Sequence, residues 1–130
     1  MMWSTLTFRA LCGCLAIVTL LAQWSPPARA AELVMFHEEW CEWCERWEAE
    51  VGVVYAKTSE GRRAPLRRID IHGKFPGDVK LKSRPHYTPT FVLVDKGQEV
   101  GRIEGYPGED FFWAILAKLI QKLRAEVKTN

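Results

Sequence analysis

Two cysteines three positions apart, Cys41 and Cys44, constrain this chain more than any other feature because of what flanks them. Residues 32–36 form a short apolar run that suits a buried strand. From Cys41 onward the pattern turns helical: Cys44, Trp47 and Val51 fall at i, i+3 and i+7 with Glu and Arg between them, which predicts one buried face and one charged face. A cysteine pair where a strand ends and a helix begins is accommodated by α/β and α+β layouts.

Residues 57–64 are polar and Gly-broken and read as a loop, followed by a strand over 66–71. Residues 72–84 hold two glycines, Pro76 and several lysines, and allow at most a short helix over 78–82. Residues 90–94 are β-branched and aromatic, Asp95-Lys96-Gly97 signals a turn, and residues 99–104 alternate outward and inward, so the three together predict an antiparallel hairpin. Phe112, Ile115, Leu116, Leu119, Ile120 and Leu123 repeat at helical spacing behind Pro107, which is suited to opening the first turn of a closing helix. There are no internal repeats and no low-complexity tracts.

Residues 1–30 read as a secretory signal peptide. Arg9 precedes an apolar run over residues 10–22, and a Pro-broken region ends in the small-x-small site Ala28-Arg29-Ala30. The run falls short of the about 20 apolar residues a bilayer span requires, so an uncleaved anchor is the lesser alternative. Leu11-Cys12-Gly13-Cys14 loosely resembles a lipoprotein cleavage box but sits too early, and Cys12 and Cys14 are expected to leave with the signal. The expected mature domain, residues 31–130, is of ordinary single-domain size. Loss of Arg9 and Arg29 lowers the basic count from 18 to 16, equal to the 16 acidic residues, and a balanced charge gives no reason to expect nucleic acid as a partner. Two cysteines then remain in a chain bound for an oxidising compartment.

The thiolate is the nucleophilic form of cysteine, and an unperturbed pKa of about 8.5 leaves little of it at neutral pH. A helix N-terminus favours a negative sulfur, so Cys41 in the first turn reads as the attacking thiol and Cys44, one turn later on the inner face, as the resolving one. A static staple is the poorer reading, because so short a loop removes little unfolded-chain entropy. A soft metal held by His37, Cys41 and Cys44 is the rival from another class, although it lacks a second cysteine pair.

The segment from Leu33 to Cys44, with Trp40 directly before Cys41, is similar to the active-site segment of thioredoxins. The resemblance extends to Thr88-Pro89-Thr90, to the hairpin with its closing Gly105-Tyr106, and to the terminal helix. Within that superfamily the chain is most similar to the small periplasmic SoxS-type thioredoxins of bacterial sulfur-oxidation systems. The resemblance implies a thioredoxin-like α/β fold, with a central mixed sheet of about four strands flanked by helices, and a periplasmic thiol-disulfide oxidoreductase that needs no cofactor. It implies a cis Pro89, with Thr88 offering backbone hydrogen bonds to a bound substrate strand. The protein is expected to be a monomer that reduces a cysteine of a partner such as a sulfur-carrier protein, with electrons from a membrane thiol transporter. Cytochrome c maturation or general disulfide repair is the alternative within that class.

Glu42-Trp43 departs from the Gly-Pro usual between these cysteines. Glu42, with Glu38, Glu39, Glu45 and Glu48 nearby, opposes thiolate formation and points to a reductant poise. Met35 stands where thioredoxins place a buried Asp, and neither His37 nor Glu39 is assigned to replace it. Trp47 reads as core, while Trp40 and Trp43 flank the sulfurs as candidate docking residues. Arg62, Arg63, Arg67 and Arg68 read as a solvated loop and strand edge.

Overall fold

The computed structural model describes residues 30–128, with side chains described through Leu123, so the expected signal segment lies outside the described residues except for Ala30. Strand β1 (Glu32–His37) leads into helix α1 (Glu42–Trp47). The helical path continues through a π-helical stretch, Glu48–Gly52, into α2 (Val53–Tyr55). A short α3 (Ser59–Arg63) precedes β2 (Leu66–Asp70), and β3 (Thr90–Asp95) and β4 (Gln98–Glu104) precede the closing helix α4 (Glu109–Lys128). No helix among the described residues is long and apolar enough to cross a membrane.

The strands form one four-stranded mixed sheet in the order β2-β1-β3-β4. β1 runs parallel to β2 and antiparallel to β3, and β3 runs antiparallel to β4. Its two central strands carry continuous apolar runs because both faces of the sheet are covered. Leu33, Met35, Phe91 and Leu93 face a cluster with Trp47, Val51, Tyr55, Phe112 and Leu116, so the cysteine-bearing helix and the closing helix share one face. Val34, Phe36, Val92 and Val94 face the opposite side, where Val79 and the partly buried Ile69, Phe75 and Leu81 cover them.

That second cover differs from the helix expected over 78–82. Residues 80–83 are tied to β4 through one bridge at Lys80 and then bend: Lys80 N donates to Gly97 O, Glu99 N donates to Lys80 O, and Arg102 Nη2 donates to the Ser83 carbonyl. The glycines and Pro76 disfavour a helix here, and the backbone groups find partners on the hairpin instead. The loop expected over 57–64 contains α3, whose N-cap Thr58 accepts from Gly61 N at 3.0 Å. Pro107 stands ahead of the closing helix, whose first turn is anchored by Phe112 N donating to Gly108 O. The hairpin turn has positive φ at Lys96 (50°) and Gly97 (76°), the primed-turn geometry that matches strand twist.

Trp47 stands at the centre of the first cluster. Its ring centroid lies 4.9 Å from that of Phe91 and 5.6 Å from that of Phe112. Tyr55 closes the far end by donating its hydroxyl to the Ala64 carbonyl at 2.8 Å, and burial pushes the phenol well above its usual value. On the opposite flank Tyr106 donates to Glu50 Oε2 at 2.6 Å, which ties the loop after β4 to the helical path through Glu48–Gly52.

Candidate active site

Cys41 ends the loop after β1 and is the N-cap of α1, with extended backbone and a sulfur that accepts from Cys44 N at 3.1 Å. An N-cap side chain satisfies a backbone N–H that the helix leaves unpaired, and a sulfur so placed is also favoured as an anion by the positive end of the helix. Cys41 and Cys44 are joined as a disulfide across a Cα separation of 5.2 Å, and both are buried. Cys44 and Trp47 share the inner face of α1, so packing of the core fixes the direction in which the second sulfur points.

The disulfide opens onto a cleft of about 680 Å³ lined by Met35, Trp40, Ala49 and Val53 on its apolar side and by His37, Glu38, Glu39, Glu45, Glu48 and Arg68 on its polar side. Trp40 holds a φ of 63°, a region uncommon for a residue with a bulky side chain, and leaves 87% of its surface exposed. Trp43 projects from the other side of the helix start with 51% exposed and is not among the cleft residues. The Arg46 guanidinium sits 5.6 Å from its ring centroid.

The Thr88–Pro89 peptide bond is cis, and Pro89 is buried. Gly105 N donates to the Pro89 carbonyl at 2.7 Å and Thr90 Oγ1 donates to the Tyr87 carbonyl at 2.7 Å, so this turn is fixed from both sides. A third tie joins it to the cysteine loop: Thr88 Oγ1 donates to Glu38 Oε1, and His72 Nε2 lies 2.9 Å from Glu38 Oε2. Residues 34 and 50 positions apart thus converge on one carboxylate, a relation that no spacing rule reveals in the sequence.

The Thr88 hydrogen bond, followed by that of His72, holds the Glu38 carboxyl below its usual range. A carboxyl depressed in the folded chain contributes above its unfolded value, and that contribution is lost as pH falls through the folded value. The Glu38 clamp is therefore intact at neutral pH and opens only in acid, below the ordinary carboxylate range. Thr88→Val keeps the shape and removes the donor. It is expected to raise KM for a protein disulfide by roughly three- to tenfold, the scale of one modest hydrogen bond, while kcat changes less. Steady-state kinetics of insulin reduction checks this, and an unchanged KM would show that the tie does not position the turn.

The acidic surround expected from sequence is only partly uncompensated. Glu48 is gripped by Arg68, with Nε 2.6 Å and Nη2 2.8 Å from its two carboxylate oxygens. Arg67 pairs with Asp78 at 2.9 Å and with Glu32 at 3.4 Å. Two members of the arginine cluster are thus committed to ion pairs, and their guanidinium pKa values are raised by those partners. Met35, paired in register with Arg68 on β2, is buried and supplies no proton acceptor beneath the sulfurs. Among the described residues no group of three or more His, Cys, Asp or Glu is arranged to hold a metal ion.

No protein-family model matches the sequence, and no curated protein matches it. Solved structures do match. The periplasmic thioredoxin SoxS from Paracoccus pantotrophus, in its reduced form, is 45% identical over 72% of this chain and 98% of its own, with a TM-score of 0.70. A thioredoxin-fold protein from Helicobacter pylori is 21% identical over 77% of this chain and 83% of its own, and the germline-specific thioredoxin Deadhead from Drosophila melanogaster is 20% identical over 91% and 99%. Both superpose with a TM-score of 0.53 and share the fold.

Proposed function

Because the chain belongs to the thioredoxin family of thiol-disulfide oxidoreductases, we propose that Cys41 and Cys44 are its exchanging pair and that it reduces a cysteine of a partner protein in the periplasm. The observation that carries this reading is the placement of Cys41 as helix N-cap, with its sulfur accepting from Cys44 N, at the mouth of a cleft. In the reduced protein the Cys41 thiolate attacks a partner disulfide, forming a mixed disulfide while the partner's other sulfur leaves as a thiolate. Cys44, deprotonated, then attacks the Cys41 sulfur. The Cys41–Cys44 bond forms, the mixed disulfide breaks, and two electrons have passed to the partner.

The similarity to a periplasmic SoxS supports a periplasmic setting. We further propose export through residues 1–30, action as a monomer, and a sulfur-carrier protein of a thiosulfate-oxidising system as the partner. A reduced dithiol must restore the pair after each turnover, and a membrane thiol transporter would supply it. Trp40, Trp43, Thr88 and Pro89 form the docking side of this proposal. Glu39, Glu42 and Glu45, exposed near Cys41, favour a reducing poise by disfavouring its thiolate.

Equilibration of residues 31–130 in thiol buffers, followed by alkylation of free cysteines, is expected to give a reduction potential of about −270 to −200 mV. A value near −120 mV would make the protein an oxidant and reverse the role given to Glu42. The species captured on Cys41 by a Cys44→Ser trap separates a sulfur carrier from cytochrome c maturation or general repair substrates.

A further inference from the structure

The exchange reaction needs two sulfurs, but it does not by itself require the charge that surrounds them. Of the five carboxylates between Glu38 and Glu48, two are compensated: Glu38 by Thr88 and His72, and Glu48 by Arg68. Glu39, Glu42 and Glu45 are exposed; Glu42 lies in the field of Arg46, whereas Glu39 and Glu45 make no hydrogen bond or ion pair among the described residues. Glu39 and Glu45 line the cleft together with Trp40 and the disulfide. The basic side chains on this side include His37, which lines the same cleft, His72, which is held by Glu38, Arg68, which is committed to Glu48, and Arg46, which is bound to Glu50 at 3.0 Å.

The two exposed indoles differ in a way that bears on this charge. Trp43 already has Arg46 over its ring, whereas the ring of Trp40 carries no cation among the described residues and faces a cleft with two unpaired carboxylates on its wall. An open aromatic face beside carboxylates is the arrangement that takes up a Lys or Arg side chain, through the ring quadrupole and through Coulomb attraction together.

We propose that Trp40, Glu39 and Glu45 form a cation subsite, and that this protein selects disulfides whose cysteine is flanked by Lys or Arg. The proposal rests on the exchange reading above and names its substrate class. Attraction steers a cationic segment to the disulfide and repels an acidic one, which acts mainly on the association rate and weakens as salt rises. A docked cation also offsets the negative potential that disfavours the Cys41 thiolate, so the subsite promotes the attack only when the right segment is present.

The test uses two synthetic peptides that differ only in having Lys or Glu beside the cysteines of an intramolecular disulfide. Each is mixed with the pre-reduced full-length protein in single turnover, and each rate is divided by that peptide's rate with dithiothreitol to remove its intrinsic reactivity. The Lys peptide is expected to react roughly ten times faster or more at low salt, with the ratio shrinking as ionic strength approaches 1 M. Glu39→Gln combined with Glu45→Gln is expected to bring the two rates together. Equal, rapid reduction of both peptides by the unaltered protein overturns the subsite and leaves the exchange chemistry standing. Reduction of neither overturns the exchange reading along with it.

Discussion

Cys44→Ser is expected to stop the protein after its first step and leave it covalently attached to its partner. With Cys41 free to attack and no second thiol to release the product, the mixed disulfide accumulates as a species that non-reducing electrophoresis resolves and dithiothreitol dissolves. Cys41→Ser has a different outcome: no adduct forms, and turnover with a protein disulfide falls on the order of a thousandfold or more, to the level of the buffer thiols alone. The asymmetry follows from where the two sulfurs sit. Cys41 caps the helix beside the cleft, while Cys44 lies one turn further along the inner face that also carries Trp47. If both variants trapped partner equally, the order of attack assigned to the two cysteines would be wrong.

Trp47→Ala is expected to be the most damaging single change to stability. The indole is fully buried and touches the rings of Tyr55, Phe91 and Phe112. Truncation of such a residue costs about 3–5 kcal/mol, a large part of the about 5–15 kcal/mol that holds a domain of this size together. The melting temperature should fall by at least about 12 °C. Trp47→Phe is the informative companion. The buried Nε1 has no hydrogen-bond partner, and an unsatisfied buried donor carries a penalty of about 1–3 kcal/mol. Phe removes that donor along with part of the ring, so its cost should be less than half that of Ala. Equal losses in denaturant titrations would show that the indole N–H is satisfied in solution.

Much of the fold is written in local patterns. The continuous apolar runs over 32–36 and 90–94, the turn at Lys96-Gly97 and the helical stripe from Phe112 to Leu123 each correspond to one element with both or one of its faces covered. The position of the cysteine pair between β1 and α1 is legible for the same reason, since a switch of periodicity marks the junction. Thr58 followed by Ser59-Glu60 carried a capping signal for α3 that the neighbouring Gly61 obscured. What escapes such patterns is whatever depends on residues distant in sequence. The course of residues 80–83 is set by hydrogen bonds to Gly97, Glu99 and Arg102, 17 or more residues further on, not by local preference. The clamp on Glu38 draws on His72 and Thr88, and the pairing of Arg68 with Glu48 spans 20 residues, so an arginine that reads as solvated is in fact bound. The π-helical stretch after Trp47 has no accepted sequence signature, yet it lies one turn beyond the disulfide, where such irregularities often accompany function.

The segment lying along β4 has an implication for how the molecule avoids its own copies. β4 is the last strand of the sheet, and an outermost strand with vacant N–H and C=O groups is a template onto which another chain can add. Here Lys80 occupies the start of that row, the Lys82 amide is drawn to Glu99, and Lys82 and the Glu99-paired Arg102 place charged groups beside what remains. Strand-to-strand addition at the Lys80 end of that border is met first by charge and by a bridge that is already formed. That protection lies at the start of β4, at the end of the sheet away from Pro89 and the sulfurs.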